Sequence, residues 1–170
     1  MFNPAFIVKQ LEKNREVFED MLTGLSKEEY IWKPLPEKWC LLEVICHLYD
    51  EEREDFRARL KNVLDSNTNP LPSIDPQGWV SSRKYAEKNF EEMLSKFLKE
   101  RTDSVNWLES LNSPAWDNAY HHPKFGPMSG KLFLSNWLAH DYHHIRQILY
   151  LKYGYLKTQT TESLDYAGTW

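Results

Sequence analysis

The stretch at residues 131–152, KLFLSNWLAHDYHHIRQILYLK, constrains the fold more than any other because it contains neither glycine nor proline. Its apolar residues recur at intervals of three or four, which is the period of an amphipathic helix. They are Phe133, Leu134, Trp137, Leu138, Ile145, Ile148 and Leu151. We therefore predict a long helix that buries one broad face against the rest of the protein.

Two histidines on this helix are candidates for a functional site. His140 and His144 lie four residues apart, at the edge of the apolar face and within it, whereas His143 points away from it toward Arg146. An imidazole in an apolar interior needs a partner for each ring nitrogen, and a metal ion is one such partner. A lone core histidine is more often structural. The pair therefore indicates a metal only if another segment supplies a third ligand.

A second predicted helix, at residues 40–64, supplies that third candidate. His47 points inward near the start of this helix, and Glu51 lies one turn later, near the edge of the same apolar stripe. On the outer side acidic and basic residues alternate, and we interpret them as a solvated surface. These residues are Asp50, Arg53, Glu54 and Arg57.

Two more long helices complete the pattern. Residues 4–24 carry an apolar stripe, and Asn3 is placed to cap their first turn. Residues 80–111 form the third long helix, with a bend or short break expected near Thr102 and Asp103.

The connecting segments are recognised by their turn-forming residues. Residues 65–79 and 112–128 are rich in proline, glycine and small polar side chains and are predicted to be long loops. Ser129 is predicted to cap the last helix. After Gly154 no clear periodicity remains, so we expect that helix to end there.

Four long amphipathic helices without a convincing strand predict an all-α protein, a four-helix bundle with long crossover loops. We assign residues 1–154 to the bundle and residues 155–170 to a C-terminal tail of the same domain. Side chains that point into a bundle can build a metal site, and His47, His140 and His144 would leave a fourth position open. Three protein ligands plus water is the arrangement of a catalytic zinc site, and imidazole also suits nickel or iron.

Composition excludes several classes of function. A chain of 170 residues with a formal charge of −4 is one domain by default and is a poor partner for nucleic acid or anionic membranes. No apolar run approaches the roughly 18 residues of a membrane span, and the charged start lacks the pattern of a signal peptide. The only cysteines, Cys40 and Cys46, fall on different faces of one predicted helix, so we expect no disulfide between them. We predict a cytoplasmic protein.

Two carboxylates near the histidines have alternative explanations. Glu51 could be a fourth ligand or a general base, but a glutamate on a solvated helix face is the simpler interpretation. Asp141, on the apolar face, could orient a histidine ligand through a hydrogen bond. It could equally form a buried ion pair with an arginine such as Arg146.

Other polar residues receive structural interpretations. His121 and His122 precede Pro123 and therefore lie outside a helix, where we expect them in solvent or against Trp116 before we expect a metal. Gln147 is assigned to packing or to the surface.

Three motifs in chain order resemble one known family. The first consists of Trp39 and Glu43 with the following run that ends in CHLYDEER. The second is HHPKFGPMS, and the third is WLAHDYHHIRQI. Together they resemble the DinB/YfiT-like superfamily of metal-binding four-helix bundles over nearly the whole chain. The resemblance implies that His47, His140 and His144 bind a divalent metal such as zinc or nickel, and that the protein forms a homodimer. It also implies a relation to enzymes that use low-molecular-weight thiols.

Two functional hypotheses of different class follow. In the first, the protein is a metal-dependent enzyme in which the ion activates water or a small thiol for hydrolysis or thiol transfer onto a small-molecule substrate. In the second, it is a non-catalytic, metal-binding, dimeric, stress-related binding module. For the first hypothesis we expect residues 69–79 and 116–125 to form the walls of a substrate pocket.

Overall fold

The computed structural model describes residues 1–65 and 73–168. Its helices are α1 (Pro4–Leu22), α2 (Lys27–Ile31), α3 (Leu41–Asp50), α4 (Arg57–Leu64), α5 (Pro76–Ser82), α6 (Phe90–Ser110) and α7 (Gly130–Thr158). A π-helical turn (Glu51–Phe56) joins α3 to α4, and short 3-10 turns lie at Tyr85–Glu87 and Asp165–Ala167. Strands β1 (Ala119–His122) and β2 (Gly126–Ser129) form an antiparallel hairpin. Residues 66–72 of the predicted loop at residues 65–79 lie outside the described residues, and the last residues of that predicted loop form the start of α5.

The four long helical elements pack side by side as the predicted bundle. α1 contacts α6 and α7, α3 contacts α6, and α4 contacts α7. Two of the predicted caps are confirmed: the side chain of Asn3 accepts a hydrogen bond from the Phe6 N–H at 3.0 Å, and that of Ser129 accepts one from the Leu132 N–H at 3.1 Å. Each cap satisfies a helix N–H that has no partner within the helix.

The third long helix starts later than the sequence suggested. The Asn89 side chain accepts a hydrogen bond from the Glu92 N–H at 2.8 Å, so α6 begins at Phe90 instead of residue 80. The residues before it form the separate helix α5 and a 3-10 turn, divided by Lys84 in a left-handed conformation with φ of 52°. The short break that was considered near Thr102 is also absent, because α6 is continuous to Ser110.

The predicted loop at residues 112–128 contains a β-hairpin, so the expectation of no strand was wrong. Tyr120 pairs with Met128 and His122 pairs with Gly126. Gly126 has φ of 71°, a conformation that side-chain-bearing residues rarely adopt. The strands are only four residues long, too short for alternation in the sequence to reveal them.

The last helix passes through Gly154 and ends at Thr158, four residues beyond the predicted end. Gly154 therefore does not mark a helix end. A side chain that packs against it leaves no room for a Cβ atom. A Cβ atom there would lie 2.6 Å from the Trp32 ring. The glycine therefore lets the tryptophan pack directly on the backbone of α7.

The core consists of two apolar clusters along the bundle. One is built around Phe18, Ile45, Phe97 and Ile148. The other is built around Leu11, Leu60, Val105 and Trp137. Each long helix of the bundle has a buried polar residue between the two clusters. These helices are α1, α6, α7 and the helix formed by α3, the π turn and α4.

We call these four buried residues the polar layer: Asn14, Glu52, Arg101 and Asp141. The Arg101 guanidinium donates two hydrogen bonds to Asp141, at 2.6 and 2.7 Å, and two to Glu52, both at 2.9 Å. The Asn14 amide donates to Asp141 at 3.0 Å, and the Trp137 indole N–H donates to Glu52 at 2.9 Å. A buried arginine of α6 thus links a carboxylate of the π turn to a carboxylate of α7.

The predicted solvated face of the second helix is partly covered. Asp50 is only 5% exposed. It accepts a hydrogen bond from the Tyr85 hydroxyl at 2.6 Å and forms an ion pair with Arg83 at 2.8 Å. Arg83 also donates two hydrogen bonds to Glu54, at 2.9 and 2.8 Å. The interpretation as a plain solvent-exposed surface was therefore wrong, because the chain after α5 folds over this face.

Candidate metal centre

Three histidine side chains from α3 and α7 converge on one point. Nε2 of His140 lies 3.2 Å from Nε2 of His47 and 3.1 Å from Nε2 of His144. The ligand atoms of the three residues all lie within 4.8 Å of one another. We call them the histidine cluster. In the described part of the chain, no other set of histidine, cysteine, aspartate or glutamate side chains has this spacing.

The spacing of the cluster fits a tetrahedral ion. Zinc–nitrogen bonds of about 2.0–2.1 Å at tetrahedral angles put ligand nitrogens about 3.3 Å apart. The observed separations of 3.2 and 3.1 Å are close to that value. Two unprotonated ring nitrogens at such a distance repel each other unless a proton or a cation lies between them.

Burial keeps the three imidazoles in the neutral form that binds metals. It lowers the pKa of His47 to about 3, that of His140 to about 2 and that of His144 to about 4. Positive charge on a neighbouring histidine lowers the pKa values of the same groups further. Neutral imidazole keeps a lone pair available for coordination.

Gln147 fixes the orientation of one ligand, a role that the sequence analysis missed. Its Oε1 lies 2.8 Å from Nδ1 of His144. Because a carbonyl oxygen only accepts hydrogen bonds, Nδ1 must carry the proton, and the Nε2 lone pair then faces the cluster. The signal was present in the sequence as a His-x-x-Gln spacing, which brings two side chains together on one helix.

Aromatic rings enclose the other two histidines. The Trp39 ring centroid lies 4.9 Å from that of His47, and the Phe56 centroid lies 4.9 Å from that of His140. His47 and His144 are buried, whereas His140 is only partly buried. The cluster is therefore walled by rings, and His140 is its least buried member.

Glu51 is buried and lies outside the histidine cluster. It is 4% exposed, so the preferred interpretation of a solvated glutamate was wrong. Burial, followed by the nearby charge of Asp55, raises the pKa of Glu51 well above its ordinary value, and the two carboxyl groups share a hydrogen bond. Asp55 in turn forms an ion pair with Arg59. Among the described residues, Oε1 of Glu51 has no hydrogen-bond partner, and neither does Nδ1 of His47 one turn earlier.

Asp141 forms a buried ion pair, which was one of its two predicted roles, but its partner is Arg101 instead of Arg146. Within the described residues, its carboxylate accepts hydrogen bonds from Arg101 and Asn14. Asp141 therefore fixes α7 at the level of the neighbouring His140 and has no direct bond to a histidine ring.

The remaining candidates lie apart from the cluster. Cys40 and Cys46 are both buried and free, and burial raises the pKa of their thiols to about 11 and about 12. His143 is exposed, and His121 and His122 lie on the hairpin.

Comparison with known proteins agrees with this arrangement. A family model described as the DinB superfamily matches residues 10–148. The chain belongs to the DinB superfamily. A search of curated proteins found no match for this DinB-superfamily chain.

A solved structure shares the fold. It is YfiT from Bacillus subtilis, described as a probable metal-dependent hydrolase with an unusual four-helix bundle topology. The TM-score is 0.76 at 17% sequence identity, with 87% of this chain and 85% of that chain covered. The predicted bundle fold is thus confirmed for this DinB-superfamily protein. In the ranges that the structure describes, no helix combines the length and the apolar character needed to cross a membrane.

Proposed function

We propose that this protein is a metal-dependent enzyme in which His47, His140 and His144 hold a divalent ion, with zinc or nickel as the candidates. The convergence of three neutral imidazoles, one of them partly exposed, is the observation that carries the proposal. An ion held there would lower the pKa of a bound water or small thiol and so supply a nucleophile at neutral pH. Hydrolysis is our first choice of reaction, because YfiT is described as a probable metal-dependent hydrolase. Thiol transfer with a low-molecular-weight thiol is the second.

We propose Glu51 as the acid–base group of this site. Its carboxyl is held in a dry environment with one oxygen free of partners, one helical turn from His47. A carboxyl whose pKa is raised toward neutrality can both accept and return a proton near physiological pH. Asp141 is proposed as a positioning residue that acts through the polar layer.

The metal assignment is tested by replacing each ligand. Purified protein should contain about one divalent ion per chain, and alanine at any position of the histidine cluster should remove most of it. His143→Ala is the matched control, because this neighbouring histidine is exposed and should leave the metal content unchanged. Equal metal content in all four variants would refute the assignment.

The reaction is tested on protein with a known metal content. Ester and amide substrates test hydrolysis, and small thiols with electrophilic acceptors test thiol transfer. With cobalt as the bound ion, a thiol that coordinates it should change the visible spectrum. Glu51→Gln should lower kcat at unchanged metal content. Full metal occupancy with no turnover and no thiol-induced spectral change would favour the non-catalytic binding module.

We also propose that the protein forms a homodimer through α7. Tyr142, Leu149 and Leu156 are 49%, 42% and 48% exposed and recur at intervals of seven, so they form an apolar stripe on the outside of the bundle. Light scattering should give about twice the 20.3 kDa mass of one chain, and Leu149→Glu should reduce that value to the monomer mass. A monomeric wild-type protein at micromolar concentration would contradict the proposal. The cytoplasmic location stays a prediction.

A further inference from the structure

A cleft of about 750 Å³ lies between the hairpin, α4 and the first turns of α7. Its volume is within the range of sites that bind small molecules. Most of its walls are apolar, formed by Phe56, Ile74, Tyr120, Phe125, Met128, Leu132 and Phe133. Its polar side chains are those of Asp55, Arg59, Ser73, His122 and Asn136. The two loops expected to wall a pocket thus both contribute described residues to one cleft.

This cleft leads toward the histidine cluster. Phe56 lines it and packs its ring 4.9 Å from the ring of His140. Leu132 and Asn136 also line it, and they precede His140 on α7 by two turns and by one. Side chains four residues apart lie above one another on a helix, so the α7 wall of the cleft lies on the same face of α7 as His140.

His122 offers a hydrogen-bond donor to this cleft. Its Nδ1 lies 3.0 Å from the Lys124 N–H and 3.2 Å from the Phe125 N–H, and both amides donate to it. A neutral imidazole whose Nδ1 accepts hydrogen bonds carries its proton on Nε2. The Phe125 ring, with its centroid 4.7 Å away, holds the imidazole in place. The ring edge that remains for a ligand is therefore the one with the Nε2–H.

The other polar side chains of the cleft give it no net charge. Its two charged side chains, Asp55 and Arg59, neutralise each other as an ion pair. The Asn136 amide group donates to the Leu132 carbonyl at 2.9 Å, which leaves its oxygen as an acceptor. A charged ligand would have to break the ion pair or stay uncompensated among apolar walls, and both are costly. An uncharged ligand meets neither cost.

We propose that this cleft is the substrate site of the histidine cluster, and that it binds an uncharged, aromatic or branched apolar molecule whose carbonyl oxygen accepts a hydrogen bond from Nε2–H of His122. The proposal rests on the function proposed above, since it takes the reacting end of the molecule to lie toward His140. An ester or amide has the required carbonyl, and its apolar body fits the aromatic walls.

The test is an NMR titration of the full chain, freed of metal by a chelator so that no ion can bind a carboxylate, with phenylacetamide, which is uncharged, and with phenylacetate, its charged counterpart of similar shape. Phenylacetamide should shift the amide signals of the hairpin and of the first turns of α7 in a saturable way, and phenylacetate should bind at least several-fold more weakly. His122→Asn is the informative variant. An asparagine oxygen can still accept from the two turn amides but supplies no donor at the Nε2 position, so affinity should fall about 5- to 10-fold. His121→Asn, which changes the adjacent exposed histidine, should bind like the wild type.

Two further variants complete the design. Leu132→Trp should abolish binding by filling the cleft, and it should fold because Leu132 is 38% exposed. His144→Ala should lose the metal yet bind phenylacetamide normally, which separates failure of the metal assignment from failure of this proposal. Shifts located elsewhere, an unchanged affinity in His122→Asn, or tighter binding of phenylacetate would overturn it.

Discussion

Replacing Arg101 by methionine should destabilise the protein more than any change at an exposed ion pair. Arg101 is 1% exposed and donates four hydrogen bonds to the carboxylates of Glu52 and Asp141. Methionine fills a similar volume but leaves both carboxylates buried without a counter-charge. Removing one partner of a buried pair costs about 3–5 kcal/mol, a large part of the roughly 5–15 kcal/mol that stabilises a typical domain. At about 2–4 °C per kcal/mol, Tm should fall by roughly 6 to 20 °C.

The loss should depend on pH in a direction that identifies its cause. In Arg101→Met the buried carboxylates have pKa values above those in the unfolded chain, so the native state binds more protons as the pH falls. The stability difference from the wild type should therefore shrink between about pH 7 and pH 5. Adding Glu52→Gln and Asp141→Asn to the variant should recover part of the lost stability, because the uncompensated charges are then removed.

Urea denaturation at several pH values measures both effects. Lys99→Met is the matched control, since Lys99 lies two residues earlier on α6 and pairs with Asp103 in solvent, with 73% of its side chain exposed. This control should leave the free energy of unfolding nearly unchanged. A loss in Arg101→Met no larger than that of the control, or one that does not vary with pH, would refute the account of the polar layer.

Four further predictions concern the site and its support. Gln147→Leu should lower metal affinity about 10- to 100-fold in a chelator competition, because His144 loses the acceptor that fixes its proton. Asp141→Asn should lower Tm while metal content stays near one ion per chain; loss of metal at unchanged Tm would contradict its positioning role. In metal-free protein, the native histidine cluster stays neutral down to about pH 4, whereas the same histidines in the unfolded chain take up protons below about pH 6.5. The free energy of unfolding should therefore decrease as the pH is lowered from about 6.5 to about 4. The decrease should be at most roughly 1.4 kcal/mol per pH unit for each histidine. A flat urea midpoint from pH 7 to pH 5 would contradict this. Gly154→Ala should lower Tm despite its better helix propensity, because its Cβ would lie 2.6 Å from Trp32; an increase in Tm would show that the ring moves freely.

The bundle and the meeting of the histidines were predictable from the sequence because both depend on helical periodicity. The apolar faces around His47 and around His140 each repeat over several turns, and such faces must be buried against each other. A histidine near the inner edge of each face is then carried to the same interior. No information about loops or turns is needed for that step.

The polar layer and the true burial of Glu51 could not be predicted in the same way. A glutamate or arginine on a helix normally indicates a solvated face, and only its partners reverse that interpretation. Those partners are distant in the chain: Asn14 and Asp141 are 127 positions apart, and Glu52 and Arg101 are 49 apart. Single-segment periodicity contains no information about such pairs.

The π turn at Glu51–Phe56 determines how this helix responds to a change in the number of its residues. A π turn accommodates one more residue than an α turn, so it shifts the direction of every side chain that follows. Because the turn absorbs this residue, deleting one residue there should restore ordinary helical geometry and leave Leu60 and Val63 in the core. The same deletion in an uninterrupted helix such as α6 would rotate every following side chain by about 100°. A related chain whose alignment shows a one-residue gap at this turn should therefore keep the same cleft.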